Sequence, residues 1–198
     1  PLPLYTHPYS QDSQKKLESV LHSSPLYRPT TEERKLMWEF RGYCFKNPRS
    51  IAKWAWSIPW GSVEGRKEAY AMIDHWKEVP EAREALELLK PRFFDRKLRE
   101  YSVKALDRLS DSELQSILLQ LVQALKAELH LESPLARFLL KRALSDKFGL
   151  GHQLFWFMKV ELRDDSSDRY HLLLEAYLRL CGPFREDFLK QSAMNNQM

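Results

Sequence analysis

Apolar residues recur every three or four positions over most of this chain, which is the spacing of one face of an α-helix. The clearest stripe follows Ser110 and Asp111, either of which could cap the helix, and consists of Leu114, Ile117, Leu118, Leu121, Val122 and Leu125. No segment with the two-residue period of a β-strand competes with this pattern. The sequence therefore predicts an all-α protein.

Proline, glycine, aspartate and serine residues divide the chain into short helical segments. Residues 1–29 are rich in proline, and we interpret this stretch as a linker with one short helix at 12–22. Residues 30–198 are interpreted as one helical domain. The helices predicted there cover 31–47, 48–57, 63–76, 80–89, 95–109, 112–129, 134–145, 152–162, 168–180 and 184–193.

Helices of this length joined by short loops form either a compact bundle or a stacked array of helix pairs. The segment DRKLREYSVKALDRL at 95–109 favours the array, because it resembles the second helix of a HEAT-type repeat. Its small residues Ser102 and Ala105 share one face with Leu98 and Leu109, and small residues let a neighbouring helix approach closely. The prediction is a right-handed solenoid of antiparallel helix pairs, of HEAT/armadillo type.

A continuous core is expected where the apolar stripes of three successive helices face one another. The run from Leu154 to Met158 has no polar face, so its helix should be covered on every side. The residues predicted to form this core are Leu121, Val122, Leu125, Phe138, Leu139, Phe155 and Trp156.

Composition and charge narrow the classes of function. Hydrophobic residues make up 43% and charged residues 29% of the chain, and 31 basic residues are interleaved with 27 acidic ones. This is typical of an ordered protein with solvated helix faces, and it predicts no nucleic-acid partner. No stretch approaches the roughly 20 apolar residues of a membrane span, so we expect no direct membrane insertion. Two distant cysteines predict no disulfide and favour a reducing, cytoplasmic location.

Catalytic machinery is not recognisable in the sequence. The six histidines form no HxxxH pair, and the Gly149-Leu-Gly151 segment between two predicted helices is typical of a turn. Phosphoryl transfer needs a phosphate-binding loop, a base and metal-binding acidic residues, and the sequence shows no such set. We therefore expect no catalytic, cofactor-binding or metal-binding residue, no kinase activity and no nucleotide affinity in this chain.

Several strings together resemble the helical domain of phosphoinositide 3-kinases. They are EERKLMWEFRGYC at 32–44, LQLVQALK at 119–126, LARFLLKRAL at 135–144, GHQLFWF at 151–157 and LLLEAYLRLCG at 172–182. In order and spacing the resemblance covers about residues 29–191. It implies a fragment of a larger lipid kinase, in which a helical scaffold organises a C2 domain and a kinase domain.

The resemblance also implies partners and cofactors. The neighbouring C2 and kinase domains of the same chain are the expected partners, with a regulatory subunit as a further candidate. The parent enzyme would be cytoplasmic, would be recruited to membranes, and would use ATP and magnesium to phosphorylate phosphoinositides at the 3-position. The alternative function is a free-standing helical-repeat adaptor that binds other proteins.

The segment before the second predicted helix bears on the subclass. Class IA members of the family carry acidic residues there that contact an SH2 domain of the regulatory subunit, and the matching positions are Arg28 and Thr31. We treat Arg28, Thr31, Glu32 and Glu33 as the candidate regulatory-contact segment, and we expect it not to bind such an SH2 domain. The motifs favour a class I enzyme, with class II and class III left open.

Overall fold

The structure, a computed structural model, describes residues 10–24, 27–77, 81–162 and 167–195. Those residues form twelve α-helices and two short 3-10 helices, at Pro48–Ser50 and Leu125–Ala127, and they contain no strand. The prediction of an all-α fold is confirmed. The α-helices are α1 (Gln11–Leu21), α2 (Thr31–Glu39), α3 (Arg41–Lys46), α4 (Ile51–Trp54), α5 (Val63–His75), α6 (Ala82–Leu88), α7 (Arg96–Leu106), α8 (Asp111–Ala124), α9 (Pro134–Ser145), α10 (Leu150–Glu161), α11 (Ser167–Leu180) and α12 (Phe184–Asn195).

The helix boundaries follow from local capping. Ser110 begins α8 with a capping box, because its side chain accepts from the Glu113 N–H while the Glu113 carboxylate accepts from the Ser110 N–H. The single helix predicted at 31–47 is instead two helices, which meet at Phe40. The backbone of Phe40, at φ −99° and ψ 31°, lies outside the helical region and ends α2.

The described residues divide between Leu88 and Leu89 into two compact units. In the first unit α1 packs against α2, α2 contacts α3 and α4, and α4 contacts α6. Leu17 of α1 is fully buried, and the Tyr43 hydroxyl of α3 donates to Glu18 of α1 at 2.7 Å. The helix that the sequence placed in a linker is therefore packed into this unit.

The second unit is organised around α9 and α10. Helix α10 contacts α8, α9 and α11, while α9 also contacts α7, and α12 packs on α11. Gly151 lets α10 approach its neighbours closely, because a Cβ atom there would collide with the Tyr177 hydroxyl and lie 2.7 Å from the Ala143 carbonyl oxygen. The solenoid arrangement and its handedness stay predictions.

A buried ion pair in the second unit joins Arg99, near the start of α7, to Glu128, which follows the short 3-10 helix after α8. The Arg99 Nε donates to Glu128 Oε1 at 2.9 Å, and the two side chains are only 2% and 4% exposed. The remaining guanidinium nitrogens donate to three backbone carbonyls, those of Leu89, Phe93 and Ala124. Arg99 therefore fixes the loop before α7 and the end of α8 against each other.

Candidate functional site

The candidate regulatory-contact segment forms the start of α2. Thr30 caps the helix through a capping box with Glu33, whose carboxylate accepts from the Thr30 N–H at 2.7 Å. The same carboxylate accepts from the Tyr27 hydroxyl at 2.8 and 2.9 Å. Glu33 therefore binds within its own unit, at both the cap and the preceding turn.

The electrostatics of Glu33 agree with this structural role. Burial raises the pKa of its carboxyl, but hydrogen bonds from Thr30 and Tyr27 and the charge of Lys53 outweigh burial, so the net pKa is lowered. The pKa of Tyr27 is raised, first by its hydrogen bond to Glu33 and then by burial. Both groups keep their usual charge states at neutral pH.

Lys53 of α4 anchors the chain just before this segment. It is 8% exposed, and its ammonium donates to the carbonyl oxygens of Ser24 at 2.7 Å and Tyr27 at 2.9 Å. The ammonium also lies 5.2 Å from the centre of the Tyr27 ring. The contact of Lys53 with this segment could not be predicted from the sequence, because a lysine 20 or more positions away gives no sign of which carbonyl groups it will contact.

The surface that the segment presents to a partner consists of Arg28, Thr31 and Glu32, which are exposed. Glu33 is half-buried and engaged as described, so Glu32 supplies the exposed negative charge and Arg28 the positive one. The four predicted residues are close in space because they are close in sequence. Their arrangement offers a partner a mixed surface rather than an acidic one.

The residues predicted to form the core lie in the second unit. Leu121, Val122, Leu125, Phe138, Leu139 and Phe155 are between 0% and 5% exposed. Trp156 is only half-buried, so the expectation that its helix is covered on every side was wrong at this position. The indole N–H of Trp156 donates to Nε2 of His152, one turn earlier on α10, at 3.2 Å. Trp156 therefore lies at the solvent border of the helix.

Asp146 initiates α10 from the end of α9. Its carboxylate oxygens accept from the Gly149 N–H and the Leu150 N–H, each at 2.9 Å. These hydrogen bonds, first that from Leu150 and then that from Gly149, lower the pKa of Asp146 below its ordinary value. Gly149 therefore lies in the turn that the sequence indicated, whereas Leu150 and Gly151 already belong to α10.

The stabilisation by Asp146 should disappear in acid. Because its pKa is lower in the folded than in the unfolded chain, its contribution is present above the unfolded pKa of about 4 and is lost as pH falls through the folded pKa. We expect urea unfolding to show Asp146→Asn less stable than the parent at pH 7, with the difference shrinking below about pH 4. A difference that is unchanged between pH 7 and pH 3 would contradict this role.

The described ranges 10–24, 27–77, 81–162 and 167–195 contain no group of three or more histidine, cysteine, aspartate or glutamate residues that could hold a metal ion. Cys44 is buried, which raises the pKa of its thiol to about 12, so the thiol stays protonated. Burial also raises the pKa of Cys181. The same ranges contain no helix of the length and apolarity needed to cross a membrane.

A family model described as the accessory domain (PIK domain) of the phosphoinositide 3-kinase family matches residues 6–190. This match covers nearly the whole chain. The chain belongs to the PIK accessory domain family. This confirms the resemblance to phosphoinositide 3-kinases, which is carried by strings in six of the twelve α-helices of the described residues.

Relatives of this accessory domain come from distant organisms. Phosphatidylinositol 3-kinase 2 of Dictyostelium discoideum is 36% identical over 182 residues, which are 91% of this chain and 10% of the relative. The human phosphatidylinositol 4-phosphate 3-kinase C2 domain-containing subunit beta is 38% identical over 190 residues, 95% of this chain and 12% of the relative. Phosphatidylinositol 3-kinase pik3 of Schizosaccharomyces pombe is 37% identical over 158 residues, 76% of this chain and 20% of the relative.

The accessory domain thus spans between a tenth and a fifth of the length of these relatives. Their identities to this chain lie within two percentage points of one another although their names describe different enzymes. The assignment to class I, which the sequence motifs favour, therefore stays a prediction.

Proposed function

We propose that this accessory domain is the non-catalytic scaffold of a phosphatidylinositol 3-kinase catalytic subunit. It would organise the C2 and kinase domains of the same chain for ATP-dependent phosphorylation of phosphoinositides at the 3-position. The observation that carries the proposal is the family match over residues 6–190, in a chain that spans a tenth to a fifth of relatives named as phosphatidylinositol 3-kinases. ATP and magnesium would be bound by the kinase domain of the parent enzyme.

The packing of the second unit supports a scaffold role. A domain that holds two neighbours in register needs a rigid interior and apolar surface for them to cover. The second unit has a closely packed interior around α9 and α10. It also presents Phe148, which is 81% exposed and packs edge-on against Phe184 at 4.8 Å between ring centres. Such a pair is suited to contact with a neighbouring domain.

The proposal includes the location of the parent enzyme. It would be cytoplasmic and recruited to membranes through its other domains, with a regulatory subunit as a further candidate partner. The interleaved charges of this chain, 31 basic and 27 acidic residues, do not favour a nucleic-acid partner. The alternative of a free-standing adaptor would require the chain to bind its partners without the kinase.

Domain replacement tests the scaffold role. The accessory domain of Dictyostelium phosphatidylinositol 3-kinase 2 would be replaced by this chain, and lipid kinase activity would be compared with that of the parent and of a variant without the domain. We expect the chimera to keep activity within about tenfold of the parent, because the helical surfaces that meet the neighbouring domains are supplied. Activity no higher than that of the deletion variant, in a chimera that is folded and expressed, would overturn the proposal.

The contact with an SH2 domain provides a separate prediction. The Arg28→Glu, Thr31→Glu double variant should gain binding to a basic SH2 surface, since both positions are exposed and glutamate at position 31 also complements the N-terminus of α2. Calorimetry would compare the variant with the unchanged chain, for which we expect no binding. Equal binding by the two proteins would contradict the alignment of this segment.

A further inference from the structure

A rigid turn precedes α7 at the start of the second unit. The Phe93 N–H donates to the Lys90 carbonyl oxygen at 2.9 Å, and Pro91 fixes the backbone at the second position of the turn. The Arg99 guanidinium donates to the carbonyl oxygens of Leu89 and Phe93, one on each side of the turn. Because the Phe93 side chain is also only 3% exposed, the turn is held from both ends by groups of its own unit.

The turn leaves an aromatic ring and two cations at the surface. Phe94 is 57% exposed, although the neighbouring Phe93 is buried. Lys90 and Arg92 are exposed, and the Arg92 guanidinium lies 5.7 Å from the centre of the Phe93 ring. Since the carbonyl groups before and after Phe94 both accept hydrogen bonds from Arg99, its ring cannot turn into the core without breaking them. The exposed ring is therefore a fixed feature of this surface.

Positive charge is concentrated on residues 90–97, which we call the basic segment. Its basic residues are Lys90, Arg92, Arg96 and Lys97, and its one acidic residue is Asp95, which gives a net charge of +3. The Asp95 carboxylate caps α7, because it accepts from the backbone N–H groups of Lys97 and Leu98 at 3.0 and 3.1 Å. The segment thus carries more positive than negative charge, and its one carboxylate is used as a helix cap.

The stability of α7 does not account for two of these cations. Arg96 and Lys97 occupy the first turn of the helix, where the positive end of the helix dipole disfavours cations. Arg96 pairs with Glu100 at 2.9 Å, but both side chains are exposed, and such pairs contribute little to stability. An anionic partner therefore explains their placement better than the folding of the helix does.

We propose that the basic segment is a peripheral contact site for an anionic membrane surface. A cluster of four basic residues is sufficient to attract anionic lipids, and each such residue near the surface strengthens binding about fivefold. The Phe94 ring lies at the level of the lipid headgroups, where aromatic and basic side chains are accommodated together. No helix enters the hydrocarbon layer.

A bilayer interface matches both parts of this surface. An acidic segment of a protein partner would match the cations, but it would also have to supply an apolar cavity for the Phe94 ring. A lipid interface offers anionic groups and an apolar layer side by side over any area. The contact adds a membrane-facing site in this chain to the recruitment that other domains of the parent enzyme provide.

Co-sedimentation of the 198-residue chain with lipid vesicles tests this contact. The vesicles contain phosphatidylcholine alone, or phosphatidylcholine with about one third phosphatidylserine, which supplies the negative surface potential. At low ionic strength we expect saturable binding to the anionic vesicles, at least tenfold weaker binding to the neutral ones, and a loss of affinity as salt is added. The Lys90→Glu, Arg92→Glu double variant should bind the anionic vesicles at least tenfold more weakly than the parent, and Phe94→Ala at least threefold more weakly.

Two control variants separate the basic segment from general attraction to the lipid. The Lys15→Glu, Lys16→Glu double variant makes the same change in net charge at exposed positions of α1. Phe148→Ala removes the same ring as Phe94→Ala, from a position that is 81% exposed. Both controls should bind the anionic vesicles within about twofold of the parent, because neither changes the local charge or the ring of the basic segment. Far-UV circular dichroism and thermal midpoints would show that the variants are folded.

The inference is overturned if millimolar anionic lipid binds none of the chain, or if neutral and anionic vesicles bind equally. It is also overturned if Phe94→Ala binds as well as the parent, or if the charge control loses as much affinity as the Lys90→Glu, Arg92→Glu variant. The acidic peptide acetyl-Glu-Glu-Leu-Glu-Glu-amide gives the remaining comparison. If the chain binds this peptide through Lys90 and Arg92 but does not bind the anionic vesicles, the partner is an acidic protein segment and the membrane is excluded.

The outcome is independent of the scaffold proposal, because vesicle binding uses neither the kinase domain nor its activity.

Discussion

Replacing Arg99 by leucine should lower the unfolding free energy of the chain by about 3 to 5 kcal/mol, the usual loss when one partner of a buried ion pair is removed. The variant leaves the Glu128 carboxylate, which is 4% exposed, without its cation. It also removes the donors to the Leu89, Phe93 and Ala124 carbonyls. Urea unfolding followed by circular dichroism measures the change.

An exposed ion pair on the same helix serves as the control for Arg99. Arg96 donates to Glu100 at 2.9 Å, with side chains that are 64% and 41% exposed. Arg96→Leu should therefore cost less than about 1 kcal/mol. If Arg96→Leu and Arg99→Leu have the same effect, burial of the Arg99–Glu128 pair is not what makes it important.

Replacing Phe155 by alanine should cost a similar amount, about 3 to 5 kcal/mol, which is a large part of the ~5 to 15 kcal/mol that keeps a domain folded. Phe155 is 1% exposed on α10, and its ring stacks on Phe188 of α12 at 4.8 Å between ring centres. The cavity left by truncation lies where α10 and α12 meet, and close-packed neighbours fill such a space only partly. Urea unfolding again gives the measurement.

Phe148→Ala is the matched control, because it deletes the same ring from a position that is 81% exposed. We expect it to cost about 1 kcal/mol or less, mainly through the lost edge-on contact with Phe184. Trp156→Ala should fall between the two, since Trp156 is half-buried. Equal losses for Phe155 and Phe148 would mean that α10 is not the central helix of this unit.

The apolar pattern was sufficient to predict most helices and much of the core. Leu121, Val122 and Leu125 stand on a clear three-and-four repeat, and each is at most 1% exposed. Trp156 was misplaced because a run of five apolar residues has no internal sign of which of them are only half-buried; here these are Trp156 and Phe157. The break at Phe40 was missed for a similar reason, since apolar periodicity continues across a bend of the backbone.

The candidate site was predictable where it depends on neighbours in sequence. Thr30 and Glu33 are three positions apart, so the capping box could be expected from the residue types alone. The anchoring of Tyr27 by Lys53 depends on residues that are 26 positions apart. Such arrangements are not visible in local spacing.

The sequence by itself determined the helical class, the cap residues and the family, because these depend on local periodicity, on short-range hydrogen bonds and on strings of matching residues. Only the tertiary structure decided which charged residues are buried. Arg99 and Arg96 are three positions apart on one helix, and their surroundings alone make one a buried anchor and the other an exposed ion pair. Burial depends on helices distant in the chain, whose positions are fixed by packing of the whole unit.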